Sequence, residues 1–293
     1  MPLTLLAGAL LLVAALAPAS ARAELLAYAA GDIGECDGPA ADSNAARTAR
    51  LIAAGAPVLV LGDTTYPTAQ RATIERCYTP TWGRFLASSY VVPGNHDYVH
   101  GTTRDFAAYF GARNPGYTWF RAPLGDWWVI GLDSNLDGSR LAQQQAWLEE
   151  QLHEIDGDGR CIVALWHHAL FSTGLHSGDG ARMRPAWRAL DRAGADLALS
   201  GHEHFYESFE PRDADGRPAL SGIREFVVGT GGAPMHDWSL SGGHRDYART
   251  FGVLELRLAQ DHYAWRFLGI DGTSRDAGAA RCRRAPAAAP SGR

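Results

Sequence analysis

Five short polar motifs are spread through the chain, and each carries side chains that bind metal ions or transfer protons. They are Gly31-Asp32-Ile33-Gly34, Gly62-Asp63-Thr64-Thr65-Tyr66, Gly94-Asn95-His96-Asp97, His167-His168-Ala169 and Gly201-His202-Glu203-His204. Their oxygen and nitrogen donors, without a thiolate, suit Zn, Fe or Mn better than Cu(I). The donors are too many for one ion, and a bridging Asp63 fits two ions about 3.5 Å apart. Such a pair clamps a phosphoryl group and activates a water molecule near neutral pH.

Each motif follows an apolar segment, and the pattern of segments predicts an α/β fold with a β-rich end. Predicted strands span residues 25–30, 57–61, 90–92, 119–120, 127–132, 161–166, 197–200, 225–228, 251–258 and 263–268. Predicted helices span residues 44–54, 69–78, 105–110, 139–153 (capped by Ser139) and 183–193. Ligands of open α/β sheets bind at the carboxyl ends of strands, so we expect the five motifs to meet at one place.

Taken singly, each motif also has a plain structural interpretation. Asp32 and Asp63 fit turn positions, and Asn95 fits a turn after a Pro-Gly pair. His202 and His204 fit an exposed surface. The presence of all five motifs together favours a metal site, because every motif follows an apolar strand in the same orientation and supplies a metal-binding donor.

Together and in this order, the five motifs resemble the signature blocks of the calcineurin-like metallophosphoesterases. Tyr66, three residues after Asp63, resembles the purple acid phosphatase branch in particular. The resemblance covers about residues 25–268. It implies a four-layer α/β/β/α sandwich with two central mixed sheets, formed by one domain over residues 24–284.

The resemblance also implies a role for each donor. The first ion would be held by Asp32, Tyr66 and His204, and the second by Asn95, His167 and His202, with Asp63 bridging. In that branch the tyrosine-bound ion is Fe(III) and its partner is a divalent Fe, Zn or Mn. The alternative for Tyr66 is a packing or substrate-facing side chain beside a divalent ion.

Catalytic and substrate-binding roles are likewise implied by the family pattern. His96 would be the general acid and Asp97 would orient its ring, although Asp97 also fits a turn or helix cap. His168 would either support the metal ligands or face the phosphate, and His176 would contact the substrate, with a solvated loop position as its alternative.

Ala169 is a departure from the family, which commonly has proline there, and the adjacent histidines make the choice of ligand ambiguous. Aligning Ala169 with that proline assigns His167 to the metal. The segment Gly229-Thr230-Gly231-Gly232-Ala233 resembles a phosphate-binding loop but has no lysine, so we interpret it as a structural turn beside the site.

These features predict a phosphomonoesterase of the acid phosphatase type, in which a metal-held hydroxide attacks phosphorus in line. A phosphodiesterase or nucleotide hydrolase on the same centre is the alternative, followed by a metal-binding module without catalysis. The chain has no lysine, which excludes a lysine nucleophile, and a net charge of -5 without a basic run does not predict nucleic acid binding. The expected partners are small phosphorylated substrates, and the sequence makes no prediction about oligomeric state.

Residues 1–23 fit a cleaved signal peptide, with an apolar run followed by Ala21-Arg22-Ala23, and an uncleaved anchor is the alternative. We therefore expect a secreted or periplasmic protein without stable membrane association after cleavage. Four cysteines in an exported chain favour two disulfides, preferably Cys36–Cys77 and Cys161–Cys282, with other pairings and free thiols left open. Residues 285–293, rich in Ala and Pro, fit a disordered tail.

Overall fold

The structure, a computed structural model, describes residues 24–35, 37–236 and 246–284. The predicted signal peptide (1–23), the predicted tail (285–293) and Cys36 lie outside the described residues, and with Cys36 so does the predicted Cys36–Cys77 disulfide. Within the described ranges, no helix combines the length and the apolar character needed to cross a membrane.

The described residues form two mixed β-sheets. The strands are β1 (Leu25–Ala30), β2 (Val58–Val60), β3 (Ser89–Val91), β4 (Phe120–Leu124), β5 (Trp127–Gly131), β6 (Cys161–His168), β7 (Leu197–Gly201), β8 (Tyr206–Ser208), β9 (Arg224–Val228), β10 (Asp246–Ala248), β11 (Gly252–Leu258), β12 (His262–Gly269) and β13 (Ser274–Arg281). The first sheet has the order β13-β12-β11-β1-β2-β3 and the second has the order β10-β8-β9-β7-β6-β5-β4.

Each sheet has a parallel and an antiparallel part. In the first sheet β1, β2 and β3 are parallel, and β11 joins β1 from the antiparallel side. In the second sheet β5, β6, β7 and β9 are parallel, while β4 and β8 pair antiparallel with their neighbours. This arrangement, with helices flanking the sheets, confirms the predicted α/β fold with two central mixed sheets.

Helices lie in the connections that follow β1, β2, β3, β5 and β6. They are α1 (Asn44–Ala49), α2 (Arg71–Thr73, continued by the π-helical segment Ile74–Tyr78), α3 (Arg104–Phe110), α4 (Gly138–Glu154) and α5 (Arg184–Arg192). Short 3-10 segments cover Ala40–Asp42, Trp82–Ser88, Asn95–Asp97 and Asp179–Met183. The Ser43 hydroxyl caps α1 by accepting a hydrogen bond from the Ala46 backbone N–H over 3.1 Å.

Several predicted boundaries are corrected. Helix α1 ends at Ala49 rather than at residue 54, because the next backbone N–H groups, beginning with Arg50, donate to carbonyls three residues back. Ser139 is not the cap of α4, since the Leu141 N–H already donates to the carbonyl of Asp137 over 3.1 Å. Strands β8, β10 and β13 were not predicted; they are short or polar, and pairing with neighbouring strands defines them.

The main core lies between the two sheets and contains fully buried side chains from both, such as Leu59 and Phe267 of the first sheet and Trp127 and Phe226 of the second. A second apolar cluster joins the second sheet to α4 and α5, with Leu148 and Trp187 fully buried. Burial of each such side chain contributes about 1.5–3 kcal/mol.

A disulfide joins Cys161 to Cys282 with a Cα–Cα distance of 5.7 Å, which confirms the predicted pair. It fastens the segment after β13 to the first residue of β6. The second sheet is thereby covalently tied to the end of the first.

The carboxyl ends of the parallel strands from both sheets meet at one edge of the molecule. The N–H of Gly31, just after β1, donates to the carbonyl of Val228 at the end of β9 over 2.9 Å. The loops after β1 and β2 run side by side, since the Asp32 N–H donates to the Gly62 carbonyl over 3.0 Å. This edge positions the polar motifs.

Candidate metal centre

Two buried carboxylates and one phenol form the first half of the cluster. The Tyr66 hydroxyl lies 2.8 Å from Oδ1 of Asp32 and 2.9 Å from Oδ2 of Asp63. It also lies 3.0 Å from Nε2 of His204. The His204 Nδ1 atom lies 2.6 Å from the carbonyl oxygen of Pro234, which only accepts, so Nδ1 carries a hydrogen and Nε2 faces the cluster. When His204 is neutral, one phenol proton therefore meets three acceptors.

The second half of the cluster has the same shortage of hydrogens. Nδ1 of His167 lies 2.8 Å from the Leu61 carbonyl oxygen and donates to it, which turns the Nε2 lone pair toward the cluster. That Nε2 atom lies 3.0 Å from Oδ1 of Asn95, 3.4 Å from Oδ2 of Asp63 and 3.2 Å from Nδ1 of His202. A proton on His167 or a cation between these atoms would relieve their mutual repulsion.

The pKa values of His167 and His204 also indicate that the cluster favours bound positive charge. Burial lowers the pKa of His167, but the Asp63 carboxylate, with Asp32 and the Leu61 carbonyl, outweighs burial and the pKa rises to about 10. Burial likewise lowers the pKa of His204, and the Asp32 carboxylate raises it above its usual range. Without a bound cation the centre thus holds protons on the imidazoles of His167 and His204, and a metal ion would replace them.

Three of the predicted ligands have left-handed backbone conformations, which are rare for residues with a side chain. The φ angles are 58° at Asp32, 50° at Asp63 and 71° at His202. Such conformations cost roughly 1–3 kcal/mol each and cluster at functional sites, where the surrounding structure holds them. Here they turn the side chains from the strand ends into the shared cluster.

His96 and Asp97 lie beside the cluster but do not form the expected pair. The His96 Nδ1 atom donates to the Pro67 carbonyl oxygen over 2.6 Å, and its Nε2 atom lies 3.9 Å from Oδ2 of Asp63. The buried Asp97 accepts from the N–H and hydroxyl of Thr64 and from the Gly94 N–H over 2.5–3.0 Å. Asp97 therefore braces the loop backbone, and the prediction that it orients the His96 ring is corrected: the Pro67 carbonyl holds that ring.

The structure also brings the two predicted substrate-binding residues to the centre. The His168 ring lies 4.3 Å from the His202 ring, and its Nδ1 atom lies 2.8 Å from the hydroxyl of Ser134. Burial, followed by the charges of His167 and His202, lowers the pKa of His168 to about 2, which keeps it neutral. The His176 ring lies 4.9 Å from the His202 ring. Contact with Asn95 and Asp63 favours His167 over His168 as the metal ligand.

Comparison with known families agrees with this geometry. Residues 27–206 match the family model described as calcineurin-like phosphoesterase, which is more than half of the chain. The chain belongs to the calcineurin-like phosphoesterases. The matched region begins in β1 and ends just after the Gly201-His202-Glu203-His204 motif, so it contains all five polar motifs.

Relatives of this phosphoesterase include purple acid phosphatases. Purple acid phosphatase 21 of Arabidopsis thaliana is 36% identical over 73 residues, which are 24% of this chain and 17% of that protein. The purple acid phosphatase PPD1 from yellow lupin (Lupinus luteus) seeds superposes with a TM-score of 0.68 at 17% identity, over 92% of this chain and 57% of that chain. The chain spans less than two thirds of either protein.

Other proteins, with different names, share this fold. GAP50, the anchor in the inner membrane complex of Plasmodium, superposes with a TM-score of 0.69 at 14% identity, over 90% of both chains. A dimetal phosphatase from Danio rerio superposes with a TM-score of 0.57 at 12% identity, over 88% of this chain and 98% of that chain. At these identities the similarity shows the fold alone.

Four further residues near the centre were not predicted from the sequence to belong to it. Ser134 follows β5 as the other polar residues follow their strands, and this signal could have found it. Asp179 contacts His202 from a separate loop, at 2.9 Å from its Nε2 atom. The His236 ring stacks on His204 with 3.7 Å between centroids. Glu203, within the motif itself, is buried.

The buried Glu203 side chain contacts the His176 loop and His236, although the residues beside it in sequence are predicted metal ligands. Its Oε1 atom accepts from the His176 N–H over 2.7 Å, and its Oε2 atom has no hydrogen-bond partner among the described residues. Nδ1 of His236 lies 3.8 Å from Oε2. Glu203 thus ties the loop of His176 to the loop between β7 and β8, which contains the predicted ligands His202 and His204.

The glycine-rich segment after β9 packs against the first aspartate. The Ala233 N–H donates to the Asp32 carbonyl over 2.9 Å, and a Cβ at Gly229 would lie 2.8 Å from Oδ2 of Asp32. The segment therefore closes the back of the centre, in the position expected for a structural turn.

Proposed function

We propose that this protein is a secreted phosphoesterase that hydrolyses phosphate monoesters at a two-metal centre, in the manner of an acid phosphatase. Family membership supports phosphoester chemistry, and the similarity to purple acid phosphatases supports the branch. The observation that carries the proposal is the cluster of acceptors around Nε2 of His167 and the hydroxyl of Tyr66. Without a cation these atoms are joined only if His167 and His204 each take up a further proton, whereas two cations would join them all.

The donor set fits two ions. Asp32, Tyr66 and His204 would hold the first, Asn95, His167 and His202 the second, and Asp63 would lie between them. Support comes from Asp63, whose Oδ2 atom lies 2.9 Å from the Tyr66 hydroxyl and 3.4 Å from Nε2 of His167. When bound, two ions neutralise phosphoryl oxygens and lower the pKa of a coordinated water molecule. The phenol in the set favours Fe(III) for the first ion, with a divalent Fe, Zn or Mn beside it.

His96 is proposed as the general acid. Its Nδ1 hydrogen is committed to the Pro67 carbonyl, which leaves Nε2 as the atom that delivers a proton to the leaving oxygen. The side chain is 38% exposed, so a substrate can reach it. Its ring lies 4.5 Å from the ring of Tyr66, which keeps it beside the phosphate position.

His168 and His176 are proposed to contact the phosphate from the side of the second ion. His168 is held by Ser134 and stays neutral, so it offers a hydrogen bond without adding charge. The His176 side chain is 42% exposed, in keeping with a contact to an incoming substrate. Neither residue is needed to complete the metal ligand set.

Export is proposed from the predicted signal peptide and is supported by the Cys161–Cys282 disulfide, because stable disulfides form in oxidising compartments. Secreted and periplasmic locations both satisfy this argument.

Parallel assays test the function. The purified protein is expected to contain two metal ions per chain and to hydrolyse an aryl phosphate faster than a bis-aryl phosphate. The opposite preference would favour the diesterase alternative. A protein that holds both ions and hydrolyses neither ester would be a metal-binding module, and a protein without metal affinity would contradict the proposal.

The metal assignment has its own test. Tyrosinate bound to Fe(III) absorbs visible light, so the iron-loaded protein is expected to be coloured and Tyr66→Phe to be colourless. Tyr98→Phe is a matched control, because the Tyr98 hydroxyl donates to Asp133 over 2.5 Å rather than to the cluster. A colourless wild-type protein with a full complement of metal would indicate two divalent ions.

A further inference from the structure

Asp179 lies outside the proposed ligand set but contacts one of its members directly. It begins the short 3-10 segment Asp179–Met183, and its side chain is 50% exposed. The Oδ2 atom lies 2.9 Å from Nε2 of His202 and 3.5 Å from Nδ1 of His176. None of the five polar motifs includes this residue.

The contact determines which nitrogen of His202 carries the hydrogen. A carboxylate only accepts, so the hydrogen is on Nε2 of His202 and Nδ1 presents a lone pair. That Nδ1 atom lies 3.2 Å from Nε2 of His167, inside the cluster. The Asp179 contact therefore turns the metal-binding nitrogen inward.

The other two imidazoles of the centre are held in the same way by backbone groups. His167 donates to the Leu61 carbonyl and His204 donates to the Pro234 carbonyl. His202 instead depends on a side chain, and a substitution can remove it without disturbing the main chain. A negative partner also raises the basicity of the imidazole, which strengthens its bond to a cation.

We propose that Asp179 is a positioning residue that holds His202 as an Nδ1 ligand and thereby sets the affinity for the second metal ion. This inference rests on the proposed two-metal centre. Loss of such a carboxylate typically weakens metal binding about 10–100-fold. The first ion, which His202 does not hold, should be unaffected.

The test compares Asp179→Ala with Asp261→Ala. Asp261 is a matched control because its exposed carboxylate also pairs with an imidazole, at 2.7 Å from Nδ1 of His262, in the hairpin between β11 and β12. Chelator-treated proteins are titrated with Zn²⁺ in a calorimeter. We expect Asp179→Ala to weaken Zn²⁺ binding at the second metal site about 10–100-fold and to leave the affinity of the first site unchanged. Asp261→Ala should behave as wild type.

A graded variant and a direct measurement complete the test. Asp179→Asn keeps an acceptor oxygen but no charge, so its second Zn²⁺ affinity should lie between those of Asp179→Ala and wild type. In the metal-free protein, the hydrogen on Nε2 of His202 should give a slowly exchanging downfield NMR resonance that Asp179→Ala loses.

The outcomes separate the two proposals. Wild-type Zn²⁺ affinities in Asp179→Ala, or an unchanged His202 resonance, would overturn the role of Asp179 and leave the two-metal centre standing. Failure of the wild-type protein to bind two Zn²⁺ ions would overturn the two-metal centre itself, together with the inference built on it.

Discussion

Gly94 touches the Asp63 carboxylate so closely that no side chain fits between them. A Cβ atom at Gly94 would lie 2.1 Å from Oδ1 and 2.4 Å from the backbone nitrogen of Asp63. Asp97 accepts from the Gly94 N–H over 2.8 Å within its own loop and from the Thr64 N–H over 3.0 Å, and the second bond holds the two loops together. The glycine is therefore required by the position of the carboxylate proposed to bridge the two ions.

Gly94→Ala is expected to displace Asp63 and to lower both metal content and stability. Overpacking of this kind costs about 1–3 kcal/mol, and Asp63 cannot move away because His96 and Tyr66 also contact it. Metal analysis and thermal unfolding measure the two effects. Gly38→Ala is the control, because a Cβ there would meet nothing within 4 Å. Normal metal content in Gly94→Ala would contradict the argument.

His96→Ala is expected to lower kcat about 10²–10⁴-fold for an alkyl phosphate, because the leaving alkoxide then lacks a proton donor. The loss should be smaller for a nitrophenyl phosphate, whose leaving group needs no proton. Metal content should stay at the wild-type value, since His96 is not among the proposed ligands. His262→Ala, which removes an exposed histidine far along the chain, is the control. Equal losses on both substrates would argue against a general acid.

The Cys161–Cys282 disulfide is expected to stabilise the fold by about 5 kcal/mol, from the entropy of closing a loop with a sequence separation of 121. The double variant Cys161→Ala/Cys282→Ala should lose most of this stability in urea unfolding. Because the bridge lies at the amino end of β6, away from the strand ends that carry the metal centre, kcat should change little. A loss below about 1 kcal/mol would show that the entropic account does not apply here.

Glu225 should make the fold less stable as the pH rises. Burial raises its pKa from 4.5 to about 8, although the Leu170 and Phe171 N–H groups donate to its carboxylate. Because the folded pKa exceeds the unfolded one, the folded state binds more protons between these two values. The free energy of unfolding therefore falls as the pH rises through this window.

The difference in melting temperature between wild type and Glu225→Gln isolates this effect from other titrating groups. The melting temperature of wild type relative to Glu225→Gln should fall between about pH 5 and about pH 8. The fall should be about 2–4 °C for each kcal/mol of unfolding free energy that wild type loses. Glu149→Gln, at an exposed position of α4, should show no such trend. A constant difference across the window would mean that Glu225 is ionised throughout.

Much of the centre could be predicted from the sequence, because short motifs next to apolar strands identify the proposed ligands. The proposed ligands lie at or within six residues of the ends of strands, with Asp32 two residues after β1 and Asp63 three residues after β2. Strand ends on the same side of a sheet lie together whatever the rest of the fold does. The fold class followed from the same alternation of segments.

Only the tertiary structure determined which neighbours hold these residues. Asp97 braces the loop of Thr64 instead of the ring beside it, and Asp179 reaches His202 across 23 residues of chain. Strand β13 has little intrinsic strand preference and forms because β12 lies beside it. Such contacts join segments that are distant in sequence, and no local pattern encodes which donor meets which acceptor. The sequence by itself determined the chemical groups of the centre, and the packing of two sheets decided their partners.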